Sequence, residues 1–172
     1  KITKELNPEY GSIQKLYTRN TDVIAFCEDK VLRVLANKDA LFNADGNPQL
    51  TSTNRVLGQA IPFVGEYGIS KNPESFASYA YRVYFADKNR GAILRLSRDG
   101  LTPISDLGMK DFFKDTLPKS DLILGSYDDS KGLFNLTLDG QTVSFDEKVN
   151  GFPSFKSFIP EGALSLNNIY YS

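Results

Sequence analysis

Two stretches of this chain repeat one another in turn chemistry. They are "VYFADKNRGAILRLSRDGLTPI", Val83 to Ile104, and "GSYDDSKGLFNLTLDGQTVSF", Gly125 to Phe145. Gly91 matches Gly132, 41 residues on, and Asp99-Gly100 matches Asp139-Gly140, 40 residues on. Between the turns the residues alternate with period two. Leu133, Asn135 and Thr137 fall on one side of a strand, and Phe134, Leu136 and Leu138 on the other. Asp-Gly is a hairpin signal, because glycine takes a positive φ without steric cost. The pattern predicts strands near 83–86, 92–97, 122–127, 133–138 and 141–145, in antiparallel meanders of about 40 residues. A period near 40 with three or four strands per unit is the spacing of β-propeller blades, whose faces are covered by their neighbours. The fold expected is mainly β: a partial propeller-like array with one short helix. A β-sandwich and a plain stack of meanders are the alternatives.

A weaker, earlier copy is "DVIAFCEDKVLRVLA", Asp22 to Ala36, which reads as strand, turn, strand. A partial fourth copy is expected from "FPSFKSFIPEGALSLNNIYYS". Residues 37–80 are rich in Gly, Pro, Asn and Ser and are expected to form a long irregular insertion between repeats. Within it, "NPESF" suits one helical turn, with Asn72 as cap and Pro73 at the first position. "SDLGMKDFFKDTLP" predicts the short helix. Met109, Phe112 and Phe113 share a face, Ser105 or Asp106 caps, and Pro118 stops. The opening twenty residues read as turn-like or partly helical.

The chain is read as one β-repeat domain spanning 1–172. It has no initiator Met and ends on the apolar run "LNNIYYS", so both ends are expected to be cut from a longer polypeptide. An open array leaves a terminal edge uncovered, which makes Ile169, Tyr170 and Tyr171 the candidate interface residues.

Composition excludes more chemistry than it suggests. With no histidine, His-based zinc sites and Ser-His-Asp or Cys-His activation are absent. The single cysteine, Cys27, allows no internal disulfide. A formal net charge of -1 offers no basic excess for nucleic acid. No run approaches the roughly 18 apolar residues of a membrane helix. Neither nucleic acid nor membrane is therefore expected as a partner. No motif implies a cofactor.

The remaining candidate sites are weak. Asp128, Asp129 and Ser130 before Gly132 offer hard oxygen ligands, but they lack the spacing of a calcium loop. A solvated hairpin turn explains them better, and the same holds for Asp45, Gly46 and Asn47. Asp111 with Asp115, or Asp146 with Glu147, are carboxylate pairs of the kind a glycosidase uses. Such pairs are common in a chain with 21 acidic residues. "NLT", Asn135 to Thr137, fits a glycosylation sequon but lies in an alternating strand. Gly58, Gly65 and Gly68 lack the lysine of a phosphate loop. Aromatic residues are 12% of the chain, and packing between repeats accounts for them better than stacking on sugars. No enzyme is expected.

Three long phrases carry a resemblance: "YGISKNPESFASYAYRVYFADKNRGAILRLSRDGLTPISDLGMKDFF", "LILGSYDDSKGLFNLTL" and "FPSFKSFIPEGALSLNNIYYS". They resemble a family of large virion structural proteins of tailed bacteriophages, in crAss-like and related podoviral phages. The resemblance covers roughly Val56 to Ser172. It implies a tail or portal-proximal protein of the virion, such as a muzzle or tail-stabilisation component. Its partners would be other virion proteins and the remainder of its own longer chain, with self-association left open. No catalytic residue comes with it. A glycan- or receptor-binding propeller of a phage tail is the competing function.

Overall fold

A computed structural model describes residues 6–19, 22–36, 57–156, 164–166 and 169–171. The chain divides into two compact units, residues 1–68 and 69–172. Among the described residues the architecture is mainly β: three antiparallel four-stranded sheets, a two-stranded hairpin and one short α-helix. No closed barrel or propeller ring is formed by them. No helix among them is long and apolar enough to cross a membrane.

The first unit is the meander β1 (Ile13–Arg19), β2 (Asp22–Cys27), β3 (Val31–Ala36) and β4 (Leu57–Pro62), paired in that order. Ile24, Ala25, Phe26 and Cys27 are all buried, so both faces of β2 are covered. Burial, and then Glu28, pushes the Cys27 thiol up and keeps it from forming a reactive thiolate. The sequence expectation of strand, turn, strand holds for 22–36. The strand at 13–19 lies in the opening twenty residues, where turn-like or partly helical chain is expected. Its alternation, "IQKLYTR", is broken by polar residues on both sides, so no apolar face marks it.

The second unit holds two meanders. The first is β5 (Ala77–Tyr79), β6 (Arg82–Asp87), β7 (Ala92–Ser97) and β8 (Gly100–Pro103). The second is β9 (Ile123–Asp128), β10 (Leu133–Leu138), β11 (Gln141–Asp146) and β12 (Gly151–Lys156). All five strands expected from the repeat are present at nearly the expected residues. Between the meanders runs α1 (Lys110–Thr116). The hairpin β13 (Leu164–Leu166) and β14 (Ile169–Tyr171) ends the described chain.

Three boundaries differ from expectation. Residues 37–80 hold β4 and β5, two strands where irregular chain was expected; these are short or rich in Gly and Pro, so period-two patterning is faint. The "FPSF" run is the end strand of the third sheet rather than the start of a fourth copy. The helix starts at 110, because Gly108, at φ 95°, breaks the backbone run that begins with the 3₁₀ turn Ile104–Asp106. Met109 therefore takes the cap position, with no side-chain cap bond. The Ser105 hydroxyl instead accepts from the Ile93 N–H at 3.1 Å. The turn at Pro73–Ser75 forms as expected with Pro first, but the Asn72 side chain makes no cap bond.

The turns show why the sequence repeats. Asp87 and Asp128 are both buried and occupy the same place before their turns. Asp87 Oδ1 accepts from the Arg90 N–H at 3.0 Å, and Asp128 Oδ1 from Ser130 and Lys131 at 3.1 and 3.2 Å. A buried carboxylate is stable here because turn N–H groups satisfy it. Gly91 and Gly132 close the turns at φ 66° and 69°. The Asp139-Gly140 turn differs: the left-handed residue is Asp139, at φ 46°. Its carboxylate accepts from the N–H groups of Asp121 and Leu122, which locks the turn to the start of β9.

The repeat is one strand out of step with the sheets. The turn ending at Gly91 joins the second and third strands of its sheet, while the turn ending at Gly132 joins the first and second. Residues equivalent by the turns then face one core. Tyr84, Ala86 and Ile93 pack with Tyr127, Phe134, Leu136, Val143 and Phe145, and Phe113 of α1 joins them. Gly125 lets the chain close up: a Cβ there would lie 1.9 Å from the Ser75 carbonyl oxygen.

Candidate functional site

A candidate site lies on the second unit, where the β5–β8 sheet meets the β11–β12 turn. In "AILRLS", Arg95 alternates onto the face of Ile93 and stands opposite Tyr84 in the ladder. Both side chains reach Glu147. Tyr84 Oη donates to Glu147 Oε1 at 2.5 Å, and Arg95 Nη1 donates to both carboxylate oxygens at 3.0 and 2.8 Å. Arg95 and Glu147 are 20% and 16% exposed, so this pair is poorly screened and ties the two meanders together. Arg95 Nε is buried and has no acceptor among the described residues.

Behind this pair stands a tyrosine stack. Tyr127 lies between Tyr79, at 4.5 Å between ring centroids, and Tyr84, at 5.7 Å. Tyr84 also stacks on Phe134 at 4.9 Å. Burial, then the hydrogen bond and charge of Glu147, pushes the Tyr84 hydroxyl far above the usual phenol range. Tyr127 is pushed up to about 12, by burial first and then by Tyr79 and Glu147. Both are neutral hydrogen-bonding groups rather than bases.

In front of the pair is an open cleft of about 270 Å³, lined by Tyr81, Arg82, Arg95, Ser97, Arg98, Asp99 and Glu147. The guanidinium carbons of Arg98 and Arg82 lie 4.7 and 5.3 Å from the centre of the Tyr81 ring. Partial burial works against the charge of Arg82, but Glu147 and the neighbouring tyrosine oxygens outweigh it, so its pKa rises. The arrangement offers cationic donors and aromatic surface.

The candidates read from the sequence do not converge. Asp128 is held by its own turn and is 3% exposed, so that turn is buried at its acid rather than solvated. Asp111 and Asp115 lie on the exposed side of α1 about Lys114. Asp146 accepts from the Lys148 N–H at 2.8 Å, while Glu147 faces Arg95, so they form no acid–base pair. Asn135 is 1% exposed inside β10, which closes the sequon to a glycan. A Cβ at Gly68 would lie 2.3 Å from the Glu28 carbonyl oxygen, and Gly65 is left-handed at φ 113°; both serve packing and turning. Asp45, Gly46 and Asn47 lie outside the described residues. Ile169, Tyr170 and Tyr171 form β14, paired with Leu166, Ser165 and Leu164. Among the described residues, no group of three or more acidic or cysteine side chains is placed to hold a metal. The arginine cleft itself was missed in the sequence. Its one signal was Arg95, a charge inside an apolar strand.

A family model described as Crassvirus muzzle protein matches residues 3–172. The chain belongs to the Crassvirus muzzle protein family. The match extends the resemblance of residues 56–172 to nearly the whole chain, including the first unit. Membership makes the chain a structural component of the virion of a crAss-like phage, which meets other virion proteins. No individual curated protein matches it.

Proposed function

We propose that this chain acts in the tail or portal-proximal part of the particle, through protein–protein interfaces and without catalysis. The observation that carries this reading is the family match across residues 3–172. Each carboxylate pair weighed as an acid–base site resolves into solvent-facing groups or an ion pair, which supports a non-enzymatic role.

The meanders of the second unit are proposed to be blades of a radial array. Support comes from the first strands. β9 has Cα atoms within 8 Å of both β5 and β13, as inner strands of successive blades do. β14 then presents the terminal edge, and Ile169, Tyr170 and Tyr171 are the residues that further chain or a second copy would cover.

Electron microscopy of the intact virion tests the reading. Density for these sheets enclosed by neighbouring subunits is expected. A domain displayed alone at the tail tip, together with glycan-array binding by the purified chain, would replace it with a receptor-binding role. Turnover of a polysaccharide that one Asp→Asn change abolishes would end the non-catalytic part.

A further inference from the structure

We propose that the cleft between Tyr81, Arg82, Arg98 and Glu147 is a docking pocket for a single carboxylate, carried by an acidic side chain of a neighbouring virion protein. The proposal rests on the interface reading above.

Arg95 is already committed to Glu147 through two contacts. Arg98 is exposed and has no carboxylate within ion-pair distance among the described residues. Its guanidinium and that of Arg82 both lie against one ring, Tyr81. The aromatic surface fixes the planar cations, which lowers the entropy lost when they grip a ligand. A guanidinium presents paired N–H donors that match a carboxylate.

Charge decides the ligand class. The lining has three cations, Arg82, Arg95 and Arg98, against two anions, Asp99 and Glu147. The excess is one positive charge, in a chain whose formal net charge is -1. One carboxylate neutralises it. A phosphate dianion or a nucleic-acid backbone would overshoot and meet Glu147 and Asp99 at the wall.

The test is a titration of the purified chain, followed by the Nε–H resonances of its arginines. The probes are acetyl-Gly-Asp-Gly-amide, the matching Asn peptide and inorganic phosphate. Saturable shifts at Arg82 and Arg98 are expected with the Asp peptide and not with the Asn peptide. Arg98→Gln and Arg82→Gln are each expected to weaken binding about tenfold with the amide spectrum otherwise intact. Lys114→Gln, on the exposed side of α1, should change nothing. Equal response to the Asn peptide, tighter binding of phosphate, or no response would overturn the proposal. A virion map with these sheets enclosed by neighbours but the cleft open to solvent would overturn the proposal and leave the interface reading standing.

Discussion

In the β5–β8 sheet, the face turned away from the shared aromatic core carries Val83, Phe85, Leu94 and Leu96, none more than 1% exposed. In the β9–β12 sheet, that face carries Ser126, Asn135, Thr137, Thr142 and Ser144, none more than 5% exposed. Aligned on their turns, Phe85 corresponds to Ser126, Leu94 to Asn135 and Leu96 to Thr137. The same backbone repeat is thus buried by two kinds of chemistry. The first face is stable by removing apolar area from water, at about 25 cal/mol per Å². The second must satisfy its polar atoms internally: Thr137 and Thr142 hydroxyls lie 2.9 Å apart, and the Ser144 hydroxyl donates to Asn135 Oδ1 at 2.5 Å. Hydrophobic contact tolerates sliding, whereas a hydrogen-bonded face fixes register.

Exchanging the two chemistries gives the largest expected effect. Leu94→Asn puts the residue of the later repeat into the apolar face. It loses a buried leucine and buries an amide without partners, together about 4 kcal/mol. For a chain of this length that lowers the midpoint of thermal unfolding by about 12 °C. A loss below about 1 kcal/mol would mean that the face is not dry, and the contrast would collapse.

Next come the paired glycines, Gly91 and Gly132. Alanine at either costs about 1 kcal/mol for the left-handed backbone. At Gly132 the nearest atom to a new Cβ is the Tyr127 hydroxyl at 3.9 Å, so nothing is added. At Gly91 the Cβ meets Lys114 Cα at 2.7 Å, which raises the loss to about 3 kcal/mol. Chemical denaturation of the two variants should show this difference. Equal losses would show that α1 moves away freely.

These glycines also mark how far sequence alone reaches. Turn residues are local, so Asp87, Gly91, Asp128 and Gly132 announced the hairpins, and alternation announced the strands between them. The face-to-face packing of equivalent residues was not legible, because the sheets group the strands one step out of phase with the repeat. β1 was invisible because both its sides carry polar residues. The cleft depends on Arg95 and Glu147, 52 positions apart, meeting across two sheets. No spacing rule joins them. Arg95 inside "AILRLS" signalled only that some partner must exist.

The tyrosine stack gives a smaller, pH-dependent effect. Tyr127 ionises near pH 10 when unfolded and at about 12 when folded. Between those values the unfolded chain binds fewer protons, so stability falls as pH rises, by at most about 1.4 kcal/mol per pH unit. Below pH 10 the contribution is fully present. Tyr127→Phe should flatten this alkaline slope, read by denaturant titration at pH 9, 10 and 11. An unchanged slope would assign the effect to Tyr84 instead, whose hydroxyl is held neutral more strongly by burial and Glu147.

The smallest effect belongs to the polar face itself. Thr137 and Thr142 stand opposite each other in the β10–β11 ladder, 0–1% exposed, and share one hydrogen bond. Valine matches threonine in shape, so Thr137→Val removes a donor and acceptor without opening a cavity. It leaves the Thr142 hydroxyl short of that partner, at about 1 kcal/mol. Adding Thr142→Val then removes the other member of this bond, so the second step costs less than it does alone. The double-mutant cycle should return a coupling of about 0.5–1 kcal/mol. The turn-equivalent pair on the apolar sheet, Leu96 and Leu101, also stands opposite in its ladder. Its truncation should scale with the methyl groups lost and give a smaller coupling. If the threonine pair shows no coupling, the face is held by contacts beyond this pair, and the contrast between the sheets narrows to packing alone.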